Sequence, residues 1–139
     1  MKSIIYKGPG EFAIEDRPIP SIKNPDDVKI KILAVCICGT DVNIFATPQK
    51  HPSRPGIIFG HEFCGQVVEV GSAVTNLKPG DKIIVDPHGP CGYCDACLAG
   101  WPERCENLYL TEPGLEGQAN GMGVFRDGGL TDYTVIPNK

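Results

Sequence analysis

The chain has 139 residues, 41% of them apolar and 22% charged, with 17 Gly, 13 Pro and seven Cys; this is about one domain's length, with enough apolar material for a core. A net charge of −4 with scattered Lys and Arg disfavours nucleic acid as a partner, because counterion displacement needs a basic face. The apolar run after Met1 is too short for a signal peptide, no stretch approaches a membrane span, and seven thiols cannot all pair within one chain, so a reducing cytoplasm is the expected compartment.

Read in chain order, Lys2–Tyr6 and Phe12–Arg17 are expected as short strands around the turn Gly8-Pro9-Gly10. Over Asp27–Val35 the residues alternate, placing Val28, Ile30, Ile32, Ala34 and Cys36 on one face and Lys29 and Lys31 on the other. Asp41–Ala46 is the one brief helical stretch. Phe63–Val70 is a second strong strand, stopping at Gly71. Lys78-Pro79-Gly80-Asp81 has proline and glycine where a type II turn wants them, and Lys82–Val85 follows as a strand. Leu130–Ile136, after Gly128-Gly129, is the last. Many short strands punctuated by Gly and Pro predict a mainly β domain, a small barrel or sandwich with few short helices. The glycine-rich segment Glu106–Gly128 fails as a dinucleotide loop. Gly121 and Gly123 begin a GxG, but the third glycine would fall at Arg126, and no strand–turn–helix surrounds it.

Four cysteines, Cys91, Cys94, Cys97 and Cys105, form two CxxC steps that share the middle thiol, with a fourth after a gap of seven residues. Four thiolates this close can enclose one Zn²⁺ tetrahedrally with no inner water, the pattern of a closed structural site. Disulfides, a redox CxxC and an iron–sulfur cluster compete with that reading. The cluster run ends in a shorter gap followed by proline, whereas Glu106 follows Cys105, and adjacent CxxC pairs favour metal over disulfides. Upstream, Cys38-Gly39-Thr40-Asp41 closes the first strong strand, and Gly60-His61-Glu62 opens the second. Each is weak alone: Asp41 suits a helix N-cap, a lone His beside a strand is commonly structural, and Cys36 and Cys64 read as small buried hydrophobes. Together they supply a soft thiolate and an imidazole, which suit Zn²⁺ with an open position.

With these motifs in this order the chain resembles the zinc-dependent medium-chain dehydrogenases, the alcohol, sorbitol and threonine dehydrogenase superfamily, over essentially its whole length. The resemblance rests on Cys38-Gly39-Thr40-Asp41, on Gly60-His61-Glu62 with Gly65 and Val68 after it, on Lys78-Pro79-Gly80-Asp81, and on the cysteine lobe. It implies a GroES-like β-barrel catalytic domain over 1–139 and a structural zinc lobe within 88–106. It implies that Cys38 and His61 ligate a catalytic zinc, with Glu62 beside it as a direct, water-bridged or alternate ligand. Asp41 would support the imidazole of His61 from behind, and Thr40 would carry the hydroxyl that takes the proton from a substrate alcohol. Hydride would pass to NAD or NADP, the substrate would be a small alcohol or polyol, and the full-length enzyme would be a homo-oligomer.

The sequence departs from that family in two places. Asn43 stands where many relatives carry a histidine that finishes the proton relay; His51, in the loop 47–55, is a candidate substitute, although a surface loop histidine is the plainer reading. The chain also stops at Pro137-Asn138-Lys139, ahead of the nucleotide-binding Rossmann domain and a further zinc ligand. The 139-residue chain is therefore expected to bind structural zinc, to hold catalytic zinc weakly or not at all, and not to turn over NAD(P). Two other readings stand beside this one. One is a zinc-stabilised binding or adaptor module, which would not need Cys38 paired with His61. The other is a GroES-like oligomerising protein without chemistry, which would not need the cysteines. Loops 47–57 and 107–127, Leu115 among them, are expected to border the substrate pocket, with Leu98 and Trp101 covering the lobe metal.

Overall fold

In the computed structural model, which describes residues 1–106 and 121–138, the chain is mainly β, as the sequence predicts. The first two strands, β1 (Lys2–Gly8) and β2 (Glu11–Asp16), pair antiparallel through Tyr6↔Phe12, with a register shift before Gly8. A second sheet has the order β5-β4-β3-β6, formed by β3 (Asp27–Cys36), β4 (Glu62–Val70), β5 (Lys82–Ile84) and β6 (Tyr133–Pro137). All its described pairings are antiparallel. Single bridges, Ser3↔Thr131 and Ile5↔Ile58, tie the hairpin to the rest. Helix α1 spans Gly39–Phe45; a shorter helix, α2 (Asp95–Leu98), and a 3-10 turn at Pro102–Arg104 build the lobe.

Two apolar clusters hold these elements. Val28, Ile30, Phe63, Val67, Val85, Met122 and Ile136 pack against the inner face of the four-stranded sheet. Tyr6, Ile44, Ile57, Phe59, Val124 and Phe125 form the other, which anchors α1 through the fully buried Ile44. The Tyr6 hydroxyl donates to the carbonyl of Ile44 at 3.3 Å. The turn before β5 behaves as its residues require. Gly80 sits at φ 99°, and the Asp81 N–H donates to the Lys78 carbonyl at 3.1 Å, as type II geometry demands.

The alternation of β3 does not survive its whole length. The pairing with β4 slips between Ile32 and Ala34, leaving Leu33 as an extra residue. Such a bulge sends every later side chain to the opposite face. Ala34 and Cys36 are therefore exposed, and Val35 packs on the core in their place. Cys36 is not a buried hydrophobe, and Cys64, paired to Ala34, is only half-buried. The bulge lies just ahead of the Cys38 turn and sets how the chain enters it.

Candidate metal and active site

Cys38 is the N-cap of α1. Its sulfur accepts from the Thr40 N–H at 3.3 Å, while Oδ2 of Asp41, at the third helical position, accepts from the Cys38 N–H at 2.7 Å. This is a capping box with a thiol in the place of the usual hydroxyl. The opposite side of the site comes from the start of β4. There His61 is buried and Glu62 is exposed.

The backbone leading into His61 is fixed by a close approach that the sequence reading missed. The carbonyl of Gly60 accepts from the Gly129 N–H at 2.8 Å. At Gly123, with φ 69°, a Cβ would collide with that same carbonyl. Gly128 approaches the same carbonyl, while Gly121 and Gly129 lie against the rings of Phe125 and Phe63. Their unusual density was the available signal, but the Gly60 carbonyl is far away in sequence.

Cys38 Sγ lies 3.1 Å from His61 Nε2, and a carboxylate oxygen of Glu62 joins them so that the three ligand atoms fall within 4.8 Å of one another. A tetrahedral Zn²⁺ with Zn–S of about 2.3 Å and Zn–N of about 2.0 Å separates sulfur and nitrogen by roughly 3.5 Å, close to what the pair offers. Behind the ring, His61 Nδ1 faces Asp41 Oδ1 at 3.3 Å, off the line of a full hydrogen bond, and both atoms are otherwise without partners among the described residues. The Asp41 carboxylate beside it, working against burial, pushes the His61 imidazole up to about 9. Burial raises Asp41, yet His61 and the Cys38 N–H outweigh it and hold the carboxyl below its ordinary value. A carboxylate behind a ligating imidazole, with the other ring nitrogen turned to sulfur, is the arrangement that metal ligation uses.

The four sulfurs of Cys91, Cys94, Cys97 and Cys105 also lie within 4.8 Å of one another. Cys91–Cys97 and Cys94–Cys105 are each 4.0 Å apart, against an edge of about 3.8 Å for a tetrahedron with 2.3 Å Zn–S bonds. Backbone N–H groups of Cys91 and Cys94 point at neighbouring sulfurs, at 3.3 and 3.4 Å. Burial and the crowding of like donors push the Cys97 thiol up to about 12, a cost that a bound cation would offset. Leu98 and Trp101, expected over the lobe metal, are 73% and 52% exposed, with the Arg104 guanidinium 5.0 Å from the centre of the Trp101 ring.

A cavity of about 370 Å³ opens over Cys38's partners. Its lining includes the polar Thr40, His51, His61 and Glu62 and the apolar Met122, Val124 and Phe125. Asp86 and His88, which the sequence reading did not single out, complete the rim. The His88 backbone N–H, opposed by burial and aided by the ring, holds the Asp86 carboxyl below its usual range. His51 is half-buried in this wall, its Nδ1 2.8 Å from the Pro52 carbonyl. Leu115 lies outside the described residues.

Residues 24–139 match the model of the alcohol dehydrogenase GroES-like domain. The L-threonine 3-dehydrogenase of Caldanaerobacter subterraneus subsp. tengcongensis is 40% identical over 128 residues, covering 91% of this chain and 33% of that protein. Among solved structures, galactitol-1-phosphate dehydrogenase from Escherichia coli superposes with a TM-score of 0.83 at 32% identity, covering 99% of this chain and 36% of that one. The alcohol dehydrogenase RspB of Escherichia coli CFT073, solved with NADH, gives 0.79 at 32% identity, with the same coverage. The chain spans between 29% and 43% of the length of the curated relatives it matches.

Proposed function

The chain belongs to the alcohol dehydrogenase GroES-like domain family, the N-terminal domain of the zinc-dependent medium-chain dehydrogenases, and we propose that residues 1–139 serve as the catalytic domain of a longer, homo-oligomeric oxidoreductase that converts a small alcohol or polyol to its ketone or aldehyde. The convergence of Cys38, His61 and Glu62 at one point, separate from the cysteine lobe, carries this reading. A structural or adaptor module has no use for that second donor set.

Zinc bound there supplies a Lewis acid that lowers the pKa of an alcohol, and a nicotinamide carried by the rest of the protein supplies the hydride acceptor. Cys38 and His61 would hold the metal, and Glu62 would stand beside it as a direct, water-bridged or alternate ligand. Asp41 keeps Nδ1 of His61 protonated, so that Nε2 offers its lone pair. Thr40, on the cavity wall, would relay the proton of the substrate hydroxyl, accepting it while its own hydroxyl proton passes on to water. The sulfurs of Cys91, Cys94, Cys97 and Cys105 leave no open position, so a zinc within 88–106 stabilises the lobe and performs no chemistry.

The test compares the purified 139-residue chain with the complete enzyme. The complete enzyme is expected to reduce NAD⁺ or NADP⁺ in the presence of alcohols, and Thr40→Val to lower its kcat by about a hundredfold, the order of a lost acid–base group. The 139-residue chain is expected to show no such activity. Alcohol-dependent cofactor reduction by that chain alone would overturn the division between domains.

A further inference from the structure

Two further cavities, of about 650 and 450 Å³, run together into one trough, sharing Pro20, Ser21, Lys23, Asp127 and Val135. No member of the Cys38–His61–Glu62 group lines it. Three segments distant in the chain meet there: the link 17–24 between β2 and β3, the loop 54–57 ahead of β4, and the segment 125–127 ahead of β6. Each brings positive charge. Among the described residues, Arg17, Lys23, Arg54 and Arg126 line the trough, four of the chain's 13 basic side chains. Against them stand Asp27 and Asp127, two of its 17 acidic ones. The chain as a whole carries −4, so the sign of the charge is reversed locally.

The two carboxylates are already engaged by backbone. Oδ2 of Asp27 accepts from the Lys23 and Asn24 N–H groups at 3.0 and 2.9 Å, and Oδ1 of Asp127 accepts from the Ile58 N–H at 2.9 Å. Arg17 pairs with Glu15 at 2.9 Å. The Lys23 ammonium and the Arg54 guanidinium meet no carboxylate among the described residues. Yet the backbone beneath the cations is pinned. Besides the Lys23 N–H on Asp27, the Arg54 N–H donates to the Val124 carbonyl at 2.9 Å and the Arg126 N–H to the Gly121 carbonyl at 3.1 Å. Exposed cations contribute little to a fold, and like charges gathered on one surface repel. A multiply charged anion turns the same arrangement to advantage, because it collects several charge-assisted hydrogen bonds without first ordering the chain.

We infer that this trough is a binding site for the phosphate group of a small molecule, with Lys23 and Arg54 as its principal partners and Arg17 and Arg126 adding charge. A carboxylate, with a single charge, would leave most of these cations unused. Ile57, Met122 and Phe125, also in the lining, offer apolar surface to the rest of the ligand. The site uses none of the metal ligands, so it stands or falls separately from the oxidoreductase reading.

The probes are inorganic phosphate and methyl phosphate, with acetate as the singly charged comparison, titrated into the zinc-loaded 139-residue chain by calorimetry. Both phosphates are expected to bind saturably at one site, and acetate at least about tenfold more weakly. Lys23→Gln and Arg54→Gln should each weaken phosphate binding about tenfold, the order of one charge-assisted hydrogen bond, and together about a hundredfold. Lys78→Gln removes a cation that pairs with Asp81 outside the trough, and should leave the affinity unchanged. Unaltered melting temperature and zinc content in each variant verify that the fold is intact. Phosphate held by zinc would ignore Lys23 and Arg54, and general attraction to positive charge would respond to Lys78 as strongly as to Lys23. Either result, or the absence of saturable phosphate binding, overturns the site. Whether the phosphate arrives on the substrate or on a separate ligand is read in the complete enzyme, where methyl phosphate competes with the alcohol in the first case only. Either pattern upholds the site if the Lys23→Gln/Arg54→Gln double variant abolishes it.

Discussion

Oδ1 of Asp41 stands 3.3 Å from Nδ1 of His61, while its other oxygen holds the Cys38 N–H at 2.7 Å. One buried carboxylate therefore steadies the ring of one donor and the backbone of the other, which are 23 positions apart. The helix cap and the support of the imidazole are the same side chain.

Asp41→Asn should remove the charge and leave one acceptor oxygen where two serve now, without altering the donor set. Zinc at the Cys38–His61 site is expected to bind about 10- to 100-fold more weakly, the usual effect of losing a group behind a ligand. Chelator competition followed by metal counting measures this. The lobe zinc, held by four sulfurs elsewhere, should be retained. Loss of both metals together would show that Asp41 acts on folding and not on the site.

Cys97→Ser addresses the lobe. Without the fourth thiolate the remaining three sulfurs cannot close a tetrahedron, and structural zinc is bound in proportion to folding. The melting temperature should fall by more than about 10 °C, a loss of a few kcal/mol in a domain of this size. Differential scanning calorimetry reads it. Abolished turnover in the complete enzyme with an unchanged melting temperature would reverse the roles assigned to the two metal sites.

Gly123→Ala tests the packing behind His61. The left-handed φ of 69° and the blocked Cβ position combine in one residue, so the change should destabilise the fold by about 2 kcal/mol or more. Because the clash falls on the Gly60 carbonyl, zinc affinity at Cys38–His61 should weaken as well. Retained affinity together with lowered stability would mean that the strain relaxes away from His61.

Asp27 gives the pH dependence. Burial raises its pKa, but the N–H groups of Asn24 and Lys23, at 2.9 and 3.0 Å, outweigh burial and hold the carboxyl below its ordinary 3.8. A folded value below the unfolded one means that its contribution is complete above about pH 4 and drains away as pH falls through the depressed value. Asp27→Asn should therefore cost about 1–2 kcal/mol near neutrality, the range of lost charge-assisted hydrogen bonds, and flatten the stability curve below pH 4. Urea titrations of both proteins between pH 2 and 7 compare the two curves; parallel curves throughout would remove Asp27 from the acid sensitivity.

Much of this molecule was legible in its residues. Short alternating runs fixed by Gly and Pro gave the strand-rich class, because the side-chain period and turn chemistry are local properties. The spacing of Cys91, Cys94, Cys97 and Cys105 predicted a four-sulfur cluster, since ligands within 15 residues are brought together by the turns between them. Cys38 and His61 could be paired from sequence only through resemblance, because their meeting depends on how β3 and β4 register. That register held the surprises. The bulge at Leu33, which turns Cys36 outward, depends on pairing with a strand about 30 residues away. The packing of Gly123 against Gly60, and the sharing of one cavity by His61 and His88, likewise arise from contacts between segments distant in the chain. Local sequence determined the elements and the lobe. Only the tertiary structure decided which side chains share the cavity, because long-range packing, and not the order of residues, sets where strands end and which way their last side chains face.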